Sequence, residues 1–98
     1  MDKNFSNQLK RLMTENDITQ KDLADKLKVT TATTSRWLSG EIMPRLDKIL
    51  ILCELFNIDL YSLLGIKDPY DLTEKEKRII SHYKNDPEFK LIVDRILN

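Results

Sequence analysis

ITQKDLADKLKVTTATTSRWLSG, residues 18–40, carries two helix starts and two helix ends in close succession. Thr19 followed three residues later by Asp22 has the form of a capping box: hydroxyl and carboxylate each accept a backbone N–H that the helix end leaves unpaired. Ile18 and Leu23 fall at the hydrophobic-staple positions around that cap. A helix is therefore predicted to open at Gln20, turn Leu23, Ala24 and Leu27 inward, and end near Lys28. Residues 29–40 are rich in β-branched side chains, and propensity alone would make them a strand. With Thr30 as N-cap and Gly40 just past the end, they instead form a helix. Thr34, Trp37 and Leu38 then share one face, while Thr31, Ala32, Ser35, Arg36 and Ser39 share the other. The second face is polar and nearly uncharged.

Outward from this pair, the apolar spacing stays at three and four. Phe5, Leu9, Leu12 and Met13 make one stripe of a first helix running to about Asn16. Pro44 is read as opening a fourth helix with Leu46, Ile49, Leu50, Leu52, Cys53, Leu55 and Phe56, apolar on most sides and so expected to be central. Asp59 caps a brief fifth helix carrying Leu60, Leu63 and Leu64, with Gly65 as its left-handed terminator. Thr73 with Glu76, and Asp86 ahead of Pro87, start two tail helices. Ile79, Ile80 and Tyr83 on the first, and Phe89, Ile92, Val93, Ile96 and Leu97 on the second, suit an antiparallel hairpin. The expected fold is all-α, with a five-helix unit over residues 1–66, a linker over 67–72 and a helical hairpin over 73–98. The hairpin stripe could fold back on its own chain or pair with another; pairing is favoured, which makes the tail a dimerisation element.

Composition removes several function classes. Gly40 and Gly65 are the only glycines among 98 residues, so neither the dinucleotide fingerprint nor a phosphate-cradling loop can be written. One cysteine and one histidine cannot assemble a four-ligand zinc site or an internal disulfide. No nucleophile and base stand at a working spacing, so no enzyme, metal or cofactor is expected. Cys53, amid Leu52 and Leu55, reads as a small core hydrophobe, and His82 as a surface residue. No apolar run approaches the roughly 20 residues of a membrane span, and the start has no signal-like core, so a cytoplasmic location is expected. Sixteen basic side chains balance sixteen acidic ones, and net charge says nothing of partners.

Two short helices joined by a brief turn, the second with a polar face between buried positions, are what a helix-turn-helix needs to enter a major groove. That groove is about 12 Å wide and favours small or extensible polar groups. ITQKDLADKLKVTTATTSRWLSG, then Pro44, then NIDLYSLLG together resemble the lambda-repressor-like, Cro/CI-type (XRE) helix-turn-helix domain across residues 5–65. The most specific parts are Thr19-Gln20 leading into Leu23-Ala24, the Ser35-Arg36-Trp37 segment closing at Gly40, and Leu63-Leu64-Gly65.

The resemblance implies roles for individual residues. Gln20 matches a phosphate-contacting glutamine at a helix N-terminus, where spare N–H groups favour an anionic oxygen. Thr30 matches a capping position near the DNA backbone. Thr31, Ala32, Ser35 and Arg36 match base-facing positions, with Arg36 the leading candidate to read guanine through O6 and N7, and Ser39 joins them as a DNA-binding candidate on the same face. Arg45 falls where some members reach the backbone or minor groove. An interior Arg–Glu pair common in the family is replaced by Met13 and Leu38, both ions leaving together, as burial requires. Lys28 stands where a glycine is usual, so a positive φ there would cost about 1 to 2 kcal/mol. Asp22, Asp25 and Glu41 oppose phosphates, which implies modest affinity for a single copy.

For Trp37 a core role outweighs base stacking; for Gln20 and Thr30 plain capping, and for Arg36 a solvated surface position, are the ordinary alternatives. The expected protein is a sequence-specific DNA-binding regulator, a repressor acting as a homodimer on a partly palindromic operator of double-stranded DNA. With 98 residues, no separate sensing domain is expected, so an inducer would act through a partner or the dimer equilibrium. The rival is an antitoxin-like or antirepressor-like module whose tail helices bind a partner protein and whose DNA binding is secondary.

Overall fold

The computed structural model describes residues 4–68, 70–83 and 87. Among them are six helices and no strand: α1 (Asn4–Glu15), α2 (Gln20–Leu27), α3 (Thr31–Ser39), α4 (Leu46–Phe56), α5 (Leu60–Leu64) and α6 (Glu74–Tyr83). The all-α expectation holds. The chain divides into two compact units, residues 1–65 with α1 to α5 and residues 66–98 with α6.

Each helix start except that of α4 has a local cause wherever a cap is described. At α2, Thr19 Oγ1 accepts the Asp22 N–H at 3.1 Å and Asp22 Oδ2 accepts the Thr19 N–H at 3.2 Å, completing the capping box. Thr30 Oγ1 accepts the Thr33 N–H at 3.1 Å and so starts α3 despite its β-branched composition. Asp59 accepts from the Ser62 N–H at 2.9 Å and from the Ser62 hydroxyl at 2.7 Å. Such caps contribute about 1 kcal/mol each, enough to select helix over strand in a short segment. At α4 the expectation needs correction: Pro44 does not open the helix. It is buried one step outside, and Arg45, extended at ψ 160 and without a side-chain cap bond, is the N-cap because its carbonyl already receives the Ile49 N–H at 3.0 Å.

The ends are left-handed throughout the first unit. Gly40 and Gly65 lie at φ 79 and 77, and Asp17, Lys28 and Asn57 adopt φ 53, 57 and 51. Gly65 is doubly constrained, since a Cβ there would stand 3.0 Å from Asn4 Cβ, where α5 closes on the start of α1. Lys28 is the costly one, because its Cβ crowds the carbonyl in this conformation and no short polar side chain offsets it. Lys28→Gly is expected to raise stability by about 1 kcal/mol, read as a higher urea midpoint at unchanged slope. An unchanged or lower midpoint would contradict the strain.

Leu9, Leu23, Leu27, Ile49, Leu52, Leu63 and Leu64 are fully buried. They join α1 to α3 and α5, α2 to α3 and α4, and α4 to α5. The fourth helix is less central than its composition suggests. Leu46, Ile49, Leu52 and Phe56 are buried, Leu50, Cys53 and Leu55 are half-buried, and Ile51 is 37% exposed. Only one side of α4 is covered by neighbours in its unit.

In the second unit, Glu76 completes a capping box with Thr73, accepting its N–H at 2.9 Å, and also accepts the Lys67 N–H at 3.3 Å. The Thr73 N–H first, and the Lys67 N–H after it, hold this carboxyl below its ordinary range against a smaller opposing effect of burial. Tyr83 is buried and Ile80 half-buried. The expected Asp86 cap and the stripe from Phe89 to Leu97 lie outside the described residues, as do the side chains of Ile79 and His82.

Candidate nucleic-acid interface

Nine residues give α3 a length of about 14 Å. Its orientation is set from behind: Thr34 is fully buried and Trp37 is 2% exposed, while Leu38 is half-buried. Thr34 can be buried because its hydroxyl donates to the Thr31 carbonyl at 2.8 Å. The opposite side, Thr31, Ala32, Ser35, Arg36 and Ser39, is exposed along its whole length. Five of the expected contact residues are thus brought together on one helix face.

The other three sit at helix starts. Thr30 caps α3, and its hydroxyl also meets the Thr33 hydroxyl at 2.9 Å. When Thr33 donates in that pair, both lone pairs of Thr30 Oγ1 are occupied and its own proton is left for an anionic oxygen. Gln20 is exposed at the first position of α2, where the capping box uses the Asp22 N–H but leaves the amides of the first two residues without an acceptor in the helix. Asp22 itself is held below the ordinary carboxylate range, chiefly by its hydrogen bonds with Thr19, so it is ionised there at neutral pH. Its charge opposes an approaching phosphate. Arg45 is exposed at the start of α4 and forms no ion pair among the described residues.

Not every hydroxyl on the face is free. Ser39 donates to the Arg36 carbonyl at 3.0 Å and accepts the Glu41 N–H at 3.3 Å, so it is engaged in closing the helix end. Arg36, with 60% of its side chain exposed, has its Nε 3.9 Å from Glu41 Oε2. Met13 is buried, and with Leu38 and Gln20 it lines one shallow depression. Burial pushes the half-buried Cys53 thiol up to about 11, with the Asp59 charge adding to the effect, so it stays protonated at neutral pH. Among the described residues no group of three His, Cys, Asp or Glu could hold a metal ion, and no helix is long and apolar enough to cross a membrane.

One positioning residue was not legible in the sequence. Lys48, on α4, donates its ammonium to the Leu27 carbonyl at 2.9 Å, satisfying the last turn of α2 from 21 residues away. It braces the turn between the two helices at the strained Lys28. A lysine at the start of an apolar helix carries no local mark of such a role.

A helix α2 packed through Leu23, Ala24 and Leu27, a tight left-handed turn and a capped helix with one open polar face define a helix-turn-helix DNA-binding module. The helix-turn-helix family profile matches residues 9–63, more than half of the chain, and the chain belongs to that family, in its XRE type. The HTH-type transcriptional activator BcrR of Enterococcus faecalis is 30% identical to it over 74 residues, 76% of this chain. The match spans 36% of that relative's length. A transcriptional regulator from Listeria innocua, known from its crystal structure, is similar with a TM-score of 0.62 at 25% identity, covering 94% of this chain and 91% of the other.

Proposed function

We propose that the protein is a sequence-specific transcriptional regulator that lays the face of Thr31, Ala32, Ser35, Arg36 and Ser39 against base edges in the major groove. Gln20, Thr30 and Arg45 contact the sugar-phosphate backbone on either side. The observation that carries this reading is the orientation of α3: Thr34 and Trp37 are buried, so the polar face is presented as a unit. One such helix reads only a few base pairs, so the protein acts as a homodimer on two half-sites about 34 to 36 Å apart. Segment 73–98 is the proposed dimerising element. Occupancy of an operator that overlaps a promoter excludes polymerase without any further surface, and the proposed action is repression. The Enterococcus relative is named an activator, and a reporter with the operator placed over or upstream of the promoter distinguishes the two signs of regulation.

Selection of bound sequences from a random duplex pool at fixed salt tests the reading. Enrichment of inverted half-sites about one helical turn apart is the expected outcome. Recovery of a pool no different from the input would refute it.

A further inference from the structure

Glu41 lies at the edge of the interface, and the DNA reading gives its carboxylate no role. Left-handed Gly40 turns the chain back at the end of α3, and the Glu41 N–H is then donated to the Arg36 carbonyl at 3.0 Å. The Ser39 hydroxyl bridges the same carbonyl and the same N–H. Main chain and side chain therefore return Glu41 to one residue, Arg36, and its carboxylate stands 3.9 Å from Nε. No other ion pair engages this guanidinium among the described residues. Two-thirds of the Glu41 side chain is exposed, and such a pair contributes little to stability. Its effect falls instead on where the guanidinium points. A carboxylate on the Nε side leaves the two terminal nitrogens unoccupied by this pair, and that is the end that grips guanine O6 and N7.

Resting on the groove-reading role of α3, we infer that Glu41 is a specificity-determining residue: its carboxylate orients Arg36 toward guanine and penalises every site that offers Arg36 no base partner. The penalty is electrostatic. On a site with guanine, Arg36 stays between the carboxylate and the DNA; where Arg36 turns away to a phosphate, Glu41 is left as an uncompensated negative charge against the backbone. A residue unfavourable for affinity is in this way favourable for discrimination.

The test uses the full chain with Glu41→Gln, which keeps size and hydrogen-bonding capacity and removes the charge. Binding is measured at fixed salt to the selected duplex, to that duplex with the Arg36-dependent guanine exchanged for adenine, and to a scrambled duplex. The variant is expected to bind the scrambled duplex more tightly and to lose at least about threefold of its preference for guanine. In an Arg36→Ala background, Glu41→Gln is expected to leave that preference unchanged. Equal tightening on all three duplexes, or an unaltered preference, would overturn the role of Glu41 while leaving the reading of α3 intact. Wild-type protein that ignores all three duplexes would overturn both. Melting curves of wild type and variants, expected to coincide because the site is exposed, exclude unfolding as the cause.

Discussion

Trp37→Ala is expected to unfold the helix-turn-helix unit under conditions in which the wild type is folded. The indole is 2% exposed on the inner side of α3, beside fully buried Thr34, and α3 is covered from that side by α1 and α2. Truncating a buried aromatic to alanine costs about 3 to 5 kcal/mol, partly for lost transfer energy and partly for the cavity left behind. A unit of this size has a total stability of roughly 3 to 10 kcal/mol, so the loss is comparable to the whole. Trp37→Phe retains a ring in the same place and is expected to lose much less. Urea unfolding followed by circular dichroism separates the three proteins. The wild type also carries its own reporter, since Trp37 is the only tryptophan and its emission should shift to longer wavelength on unfolding. A Trp37→Ala midpoint equal to that of wild type would show that this face of α3 is not the packed one, and the outward direction of the other face would be lost with it.

Arg36→Ala is expected to do the opposite, sparing the fold and damaging recognition. Its side chain is mostly exposed and its one ion pair among the described residues spans 3.9 Å, so stability should change by no more than roughly 0.5 kcal/mol. Binding to the selected duplex should weaken by about 1 to 3 kcal/mol, with one base position becoming indifferent to substitution. Titrations of wild type and variant against duplexes changed at single positions give both numbers. Uniform weakening across every sequence would move Arg36 from base reading to phosphate contact, because a phosphate carries no sequence information. The contrast between Trp37 and Arg36, neighbours in sequence on opposite sides of one helix, is the shortest functional statement about α3.

The starts of α2, α3 and α5 were legible because each rests on bonds between residues three apart, Thr19 with Asp22, Thr30 with Thr33 and Asp59 with Ser62. Burial of Leu23, Ala24, Leu27, Thr34 and Trp37 followed from the helical period once those starts were known. The exposed polar face of α3 followed from the same period. What was misread lies where local chemistry is silent. Pro44 resembles a helix opener, yet nothing in its own neighbours says whether the first helical residue follows it at once or one step later. Four apolar side chains of α4 reach the surface or its edge, because composition counts apolar residues without saying how many sides of a helix will be covered.

From its residues alone this chain determined the starts of α2, α3 and α5 and the two faces of α3, since those depend on contacts within one or two turns and on a fixed angular period. The folded arrangement decided what joins distant segments: the Lys48 bond to the Leu27 carbonyl, the close seat of Gly65 on Asn4, and the partial exposure of α4. It also decided that the Glu41 carboxylate stands 3.9 Å from Arg36 Nε across the end of that helix. Such contacts depend on the angles at which helices cross and chains reverse, and those angles come from the summed packing of the whole unit, which no short stretch of sequence contains.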